Sequence, residues 1–268
     1  PTVEYSSDRA GNVLNQYFGY EAAATTSYAE FTNPLKGKTL NGATVSMWVN
    51  RQNDDAWDAL WSFFDTDNSD GADGRLFFTP NTYLGYNGTV GGTWQWFDCN
   101  KAEKPVNNIH VNSWHYVTVS VGKANFGIYV DGKLVVNKTK YTLFDSNDSY
   151  ASLASNMLKM IASADKFYLG YGSFWGSSPA YMDNVKIYSR ALSEHYIRQK
   201  KLILQQQRMQ KNRKNRHWQM QVSCTRVSIM MQMRQQPADY QQMQQTILHL
   251  PVMEQQSTKD IYSLHREI

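Results

Sequence analysis

The chain has 268 residues, 41% of them hydrophobic, enough for one large domain or two modest ones with a packed core. No run of apolar residues is long enough for a membrane-spanning helix. The formal net charge of +4 is unevenly spread: residues 1–198 carry −3 and residues 199–268 carry +7, so the basic balance belongs to the last quarter and gives no nucleic-acid-binding signal for the whole chain.

In chain order, Thr44–Val49 alternates and places Val45, Met47 and Val49 on one strand face. Trp57–Phe64 is rich in aromatic residues. Trp114–Val121 and Phe126–Val130 are β-branched and aromatic, as strands require. The Asp131-Gly132 pair between IYV and KLVV predicts a type I′ hairpin turn. Leu153, Met157, Leu158 and Ile161 are spaced for a short helix over Tyr150–Ser163. Phe167–Gly170 and Met182–Tyr188 supply further strands. Many short strands with regular turns predict an all-β, two-sheet antiparallel sandwich, with Trp48 and Trp114 in its core.

All 16 glycines fall at or before Gly176, and the chain turns Gln-, Met- and Arg-rich after Gln199. This change predicts a sandwich over 1–198 and a separate tail over 199–268, poorly ordered or helical. Two origins for the tail stay open. One is a Gln-rich linker. The other is translation in a shifted frame: with Gln as CAG and Met as ATG, a shift turns Gln210–Gln221 into an acidic, Ala-rich helical sequence. Pro1 is not a natural initiator, so the chain is expected to be cut from a longer, processed protein. Cys99 and Cys224 lie far apart and are expected to be free thiols.

Sugars present C–H faces and ring hydroxyls, which proteins meet with aromatic rings and with Asn, Asp and Gln. Thr79–Asn87 and Gly91–Asp98 offer that mixture. Trp94 and Trp96 are two apart and share a face on a strand. Tyr83 and Tyr86 lie on an expected loop, Asn87 follows them, and Trp175 sits in a second aromatic loop. These six residues are the candidate carbohydrate contacts. Catalytic signals are missing: there is no E-x-D-x-x-E pair of carboxylates, no G-x-S-x-G and no H-E-x-x-H. His115 is expected to be structural. Asp65–Gly74 resembles a calcium loop but is off by one in spacing and lacks the closing Glu.

Four segments carry a family resemblance. Asp8-Arg-Ala-Gly-Asn12, Ala43–Trp48 (ATVSMW), Trp114–Val119 with Ile128–Lys133 (IYVDGK), and Met182–Ser193 (MDNVKIYSRALS) occur in an order and spacing that resemble laminin-G-like domains of the concanavalin-like superfamily. Trp57–Asp65 is similar to such domains appended to bacterial arabinan- and xylan-degrading enzymes of glycoside hydrolase family 43. The resemblance implies a concanavalin-like jelly roll with a binding or accessory role. It also implies a structural calcium tying the domain ends through Asp183, with Asp8 and Asn12. The expected function is a non-catalytic, secreted carbohydrate-binding module that takes a plant-type polysaccharide or oligosaccharide beside a catalytic domain in the same parent chain. The alternatives are a structural or adhesion domain, or a cryptic glycan lyase or hydrolase.

Overall fold

A strand whose apolar residues alternate must bury one face, and pairing two such sheets face to face satisfies both. The computed structural model describes residues 1–16, 28–53, 59–66, 75–80, 82, 84–90, 93–98, 109–138, 150–171 and 179–235. One antiparallel sheet runs, in spatial order, β1 (Thr2–Ser6), β2 (Gly11–Gln16), β13 (Ala180–Tyr188), β4 (Gly42–Arg51), β9 (Trp114–Gly122), β10 (Phe126–Val130) and β11 (Lys133–Lys138). The other runs β3 (Ala29–Thr32), β12 (Lys166–Leu169), β5 (Trp61–Phe64), β6 (Arg75–Phe78), β7 (Leu84–Val90) and β8 (Thr93–Asp98). The two helices are α1 (Tyr150–Ser163) and α2 (Glu194–Gln235). This is the predicted sandwich, and α1 has the predicted span.

Between the sheets lies one continuous core. Val45, Met47 and Val49 of β4 and Val117, Val119 and Val121 of β9 face Trp61, Phe63, Leu76, Phe78, Phe167 and Leu169 of the second sheet. Trp61 is its anchor, stacked on Phe78 with ring centroids 5.6 Å apart and meeting Phe63 edge-on at 5.9 Å. α1 adds Ala154, Met157, Leu158 and Ile161 to the same core and touches strands of both sheets. Trp48 and Trp114 are not in this core. The alternation that turns Met47 and Val49 inward turns Trp48 outward, where it is buried in a second cluster with Tyr116, Leu192 and Ile197; Trp114 is half-buried beside them.

The C-terminal end of α1 is held by one side chain. Asn33 is buried, its Nδ2 donates to the carbonyls of Ile161 and Ala164, both at 2.7 Å, and its Oδ1 accepts from the Leu35 N–H at 2.9 Å. Gly37, at φ +72°, donates its N–H to the Ala162 carbonyl at 2.7 Å. These bonds satisfy carbonyls that a helix end leaves without intrahelical partners.

The β10–β11 hairpin turns on Asp131 (φ +56°) and Gly132 (φ +78°), with Val130 paired to Lys133. Two positive φ values in a two-residue loop make the predicted type I′ turn. Ser193 caps α2, its hydroxyl accepting from the Tyr196 N–H at 3.3 Å. The chain separates into two compact units, Pro1–Gln205 and Gln206–Ile268. The first turns of α2 therefore belong to the sandwich, where Ile197 is buried and Leu204 packs on the Trp48 cluster. In the second unit the described part, to Gln235, is helical.

Asn33→Ala strips a buried N–H and two carbonyls of their partners. Urea denaturation is expected to show a loss of about 3 kcal/mol; an unchanged midpoint would mean that the helix end does not depend on this side chain.

Candidate functional site

Because strand side chains alternate, the pairing register assigns each position of the six-stranded sheet to a face. One row across all its strands reads Phe31, Phe167, Phe63, Leu76, Tyr86, Phe97. Phe167, Phe63 and Leu76 belong to the core, so this is the inward row. The rows on either side face outward. One reads Thr32, Lys166, Phe64, Arg75, Asn87, Trp96, and the other Glu30, Tyr168, Ser62, Phe77, Gly85, Asp98. Trp94, paired with Thr89, takes the same outward side as Trp96.

The register thus brings Asn87, Trp94 and Trp96 to one face of the β7–β8 hairpin. Tyr86, expected on a loop with Tyr83, lies in β7 at an inward position opposite Leu76. The reason is that Leu84–Val90 pairs with β6 as a strand, and neighbours on a strand occupy opposite faces. Tyr83 and Trp175 lie outside the described residues, as do Cys99 and most of the acidic Asp65–Gly74 loop.

At the β3–β12 end the outward face carries residues that sequence reasoning did not select. Tyr28, Phe64, Tyr168 and Tyr171 form an aromatic cluster, with Tyr28–Tyr168 and Tyr168–Tyr171 centroids 5.2 and 5.1 Å apart. Glu30 accepts from Lys166 Nζ at 2.6 Å and from the Tyr168 hydroxyl at 3.1 Å. These bonds, that from Lys166 first, hold the Glu30 carboxyl below its usual range. Burial, reinforced by Glu30, pushes the Tyr168 phenol well up. Tyr28 is 38% exposed, whereas Phe77 and Ser62 in the middle of the face are buried. Lys166 and Tyr168 were legible from the alternation K-F-Y-L. Tyr28 arrives from far away in sequence and had no local signal.

The outer side of the seven-stranded sheet is built differently. Asp183, Trp48 and Tyr116 are cross-strand partners on β13, β4 and β9. The Arg9 guanidinium lies 4.3 Å from the Trp48 ring centroid and 5.1 Å from that of Trp114, and its Nε donates to Asp183 Oδ2 at 2.7 Å. The Asn184 amide donates to the same oxygen at 3.2 Å. Asp8 and Asn12 are exposed. A calcium ion at Asp183 would have to share its carboxylate with a guanidinium. Among the described residues no group of three or more His, Cys, Asp or Glu side chains is placed to hold a metal ion. At this point the Arg9 guanidinium is the cation paired with Asp183.

His115 closes the hairpin, as expected of a structural residue. Its Nδ1 lies 2.8 Å from Asp131 Oδ2, while its Nε2 accepts from the His110 N–H at 3.2 Å. This places the proton on Nδ1. Asp131 Oδ1 accepts from the Tyr116 N–H, and Lys201 of α2 donates to the Asp131 carbonyl at 3.1 Å and pairs with its carboxylate at 3.4 Å.

This architecture defines a lectin-like sandwich with its candidate binding face on the smaller sheet. The sequence profile of the Laminin_G_3 family, of the concanavalin A-like lectin/glucanases superfamily, matches residues 23–198, and the chain belongs to that family. No curated protein sequence matches the chain. Domain 4 of an extracellular family 43 arabinanase from Geobacillus stearothermophilus, solved with arabinotriose, is similar at 16% identity over 74% of this chain and 81% of that one, with a TM-score of 0.46. The carbohydrate-binding module (CBM40) of a Ruminococcus gnavus sialidase, bound to α2,3-sialyllactose, shares 15% identity over 59% of this chain and 82% of that one, with a TM-score of 0.40. A heptameric pentraxin from Limulus polyphemus shares 11% identity over 68% and 78%, with a TM-score of 0.40.

Burial pushes the Asp131 carboxyl up, but the hydrogen bonds from His115 and Tyr116 and the Lys201 charge outweigh it and hold it below the usual 3.8. A depressed carboxyl stabilises the fold above its unfolded value and ceases to do so as pH falls through the folded one. The stability gap between wild type and Asp131→Asn, followed by urea denaturation, is expected to be full at pH 7 and to close below about pH 4.

Proposed function

We propose that the sandwich is a non-catalytic carbohydrate-binding module of a secreted polysaccharide-degrading enzyme, taking plant-type glycan chains on the outer face of its six-stranded sheet. The observation that carries this reading is the register, which puts Trp94, Trp96 and Asn87 together on the side away from the core. Indoles and an amide at these positions would supply stacking surface for the C–H face of a sugar and hydrogen bonds for its hydroxyls. Tyr83 and Trp175 are proposed as further contacts from neighbouring loops, with Tyr86 supporting the hairpin from its inward position. The non-catalytic assignment is supported by a sequence without the E-x-D-x-x-E carboxylate run of sandwich glucanases. The catalytic partner is proposed to lie elsewhere in the parent chain.

Affinity electrophoresis in gels holding arabinan, xylan or β-glucan tests the reading. Wild type is expected to be retarded by at least one of them. Trp94→Ala and Trp96→Ala should each weaken retention by at least about tenfold, the scale of a central aromatic contact, with the thermal midpoint kept. No retardation in any gel, or variants retained like wild type, would leave a scaffold or adhesion domain.

On the opposite sheet, Arg9 is proposed to do the work of the structural calcium expected at Asp183. Arg9→Ala should cost about 3 kcal/mol, because it strands a partly buried carboxylate. Exchanging chelator for millimolar calcium should move the wild-type midpoint by less than about 1 °C. A larger calcium shift would restore the metal.

A further inference from the structure

A cavity of about 390 Å³ opens at the end of the sandwich where α1 finishes, lined by Lys38, Thr39, Leu40, Lys123, Ser155, Leu158, Lys159 and Ala162. Its volume lies within the range of small-ligand sites. The three lysines come from three different places in the fold: Lys38 from the loop before β4, Lys123 from the β9–β10 turn and Lys159 from α1. None of them forms an ion pair or a side-chain hydrogen bond among the described residues, and no described lining residue is acidic. Three lysines line this cavity although residues 1–198 as a whole carry a net charge of −3.

The walls are preorganised. The loop carrying Lys38 and Thr39 is tied to α1 by the Asn33 bonds to Ile161 and Ala164 and by the bond from Gly37 to Ala162. These same bonds occupy the carbonyls at the end of α1, whose negative pole would otherwise repel an anion. The β9–β10 turn is closed by the Gly122 N–H donating to the Asn125 carbonyl at 2.8 Å. The rest of the lining mixes two hydroxyls, from Thr39 and Ser155, with the apolar side chains of Leu40, Leu158 and Ala162. Charge, hydroxyls and an apolar wall together match a ring that carries both an acid group and C–H surface.

We infer that this cavity is a second ligand site, for a sugar unit bearing a carboxylate or a sulfate ester. The demand for negative charge stands on the lysines alone, while the assignment to a sugar rests on the carbohydrate-binding reading above. The site is distinct from the outer face of the six-stranded sheet, since its lining shares no residue with that face. Occupied together, the two sites would select polysaccharides with acidic units along a mainly neutral chain.

Isothermal titration of the full chain tests this with a trigalacturonate, a sulfated disaccharide, neutral xylotriose and inorganic sulfate. Binding of at least one acidic sugar is expected, weakening as sodium chloride rises from about 50 to about 500 mM. The Lys38→Ala/Lys123→Ala/Lys159→Ala variant should lose that binding by at least about tenfold, the scale of one charge-assisted bond. It should keep the wild-type urea midpoint, since all three lysines are exposed. Which acid group binds tells carboxylate from sulfate ester. Acidic sugars bound equally by the lysine variant, no acidic sugar bound by wild type, or inorganic sulfate bound as tightly as the sugar would each overturn the site. If every neutral glycan fails while an acidic sugar binds through the lysines, this site stands and the aromatic face falls.

Discussion

The pairing register of the six-stranded sheet is the constraint on which the binding proposal depends. An unbroken ladder from β3 to β8 links Phe63 and Phe167, fixed in the core, to Trp94 and Trp96 at the far edge. A slip of one residue at any pairing between β5 and β8 would move both indole positions to the inward side, because side chains alternate with a period of two. Trp61 helps to set this register. It is stacked between Phe78 and Phe167, so the strands on either side of β5 are held in place by ring packing as well as by the backbone ladder.

The two sheets divide the work. On the seven-stranded sheet the outer face around Trp48 is filled: Arg9 lies over the indole, and Leu192 and Ile197 pack against it. Two polar residues at the centre of this face, Thr44 and Ser120, bond to the chain leading into α2. Both of their hydroxyls accept from the Leu192 N–H. Covering this side joins the domain's start, at Arg9, to its end, at Asp183 and α2. A guanidinium does this well, since its flat face meets the ring while its edge donates to a carboxylate. The six-stranded sheet carries on its outer side partly exposed tyrosines, the Lys166–Glu30 ion pair and the hairpin with Trp94 and Trp96.

Much of this was legible in local patterns. Asp131-Gly132 gave the type I′ turn because few residue pairs accept two positive φ values. The spacing of Met157, Leu158 and Ile161 gave both the span of α1 and the face it buries. Other features were not local. Trp48 read as a buried core residue and is one, but the partners that bury it, Arg9, Tyr116 and Ile197, are distant in sequence and had no local signal. Tyr86 read as a loop residue because the glycines at 85 and 88 masked a strand that exists only through its pairing with β6 and β8. The lysine cavity was invisible for the same reason: Lys38, Lys123 and Lys159 line one cavity only when the loop, the turn and the helix are assembled.

By itself the sequence determined the class of fold, the family and the positions of the main strands, α1 and the hairpin turn. These follow from periodicity, turn chemistry and short motifs, each contained within a few neighbouring residues. Only the tertiary structure decided which side of a sheet each aromatic position takes, that an arginine meets Asp183, and where charges converge on a cavity. Those outcomes depend on cross-strand register and on contacts between segments more than a hundred residues apart, such as Arg9 with Asp183 and Asn33 with Ile161. No local pattern in a chain encodes which distant segment will lie against it.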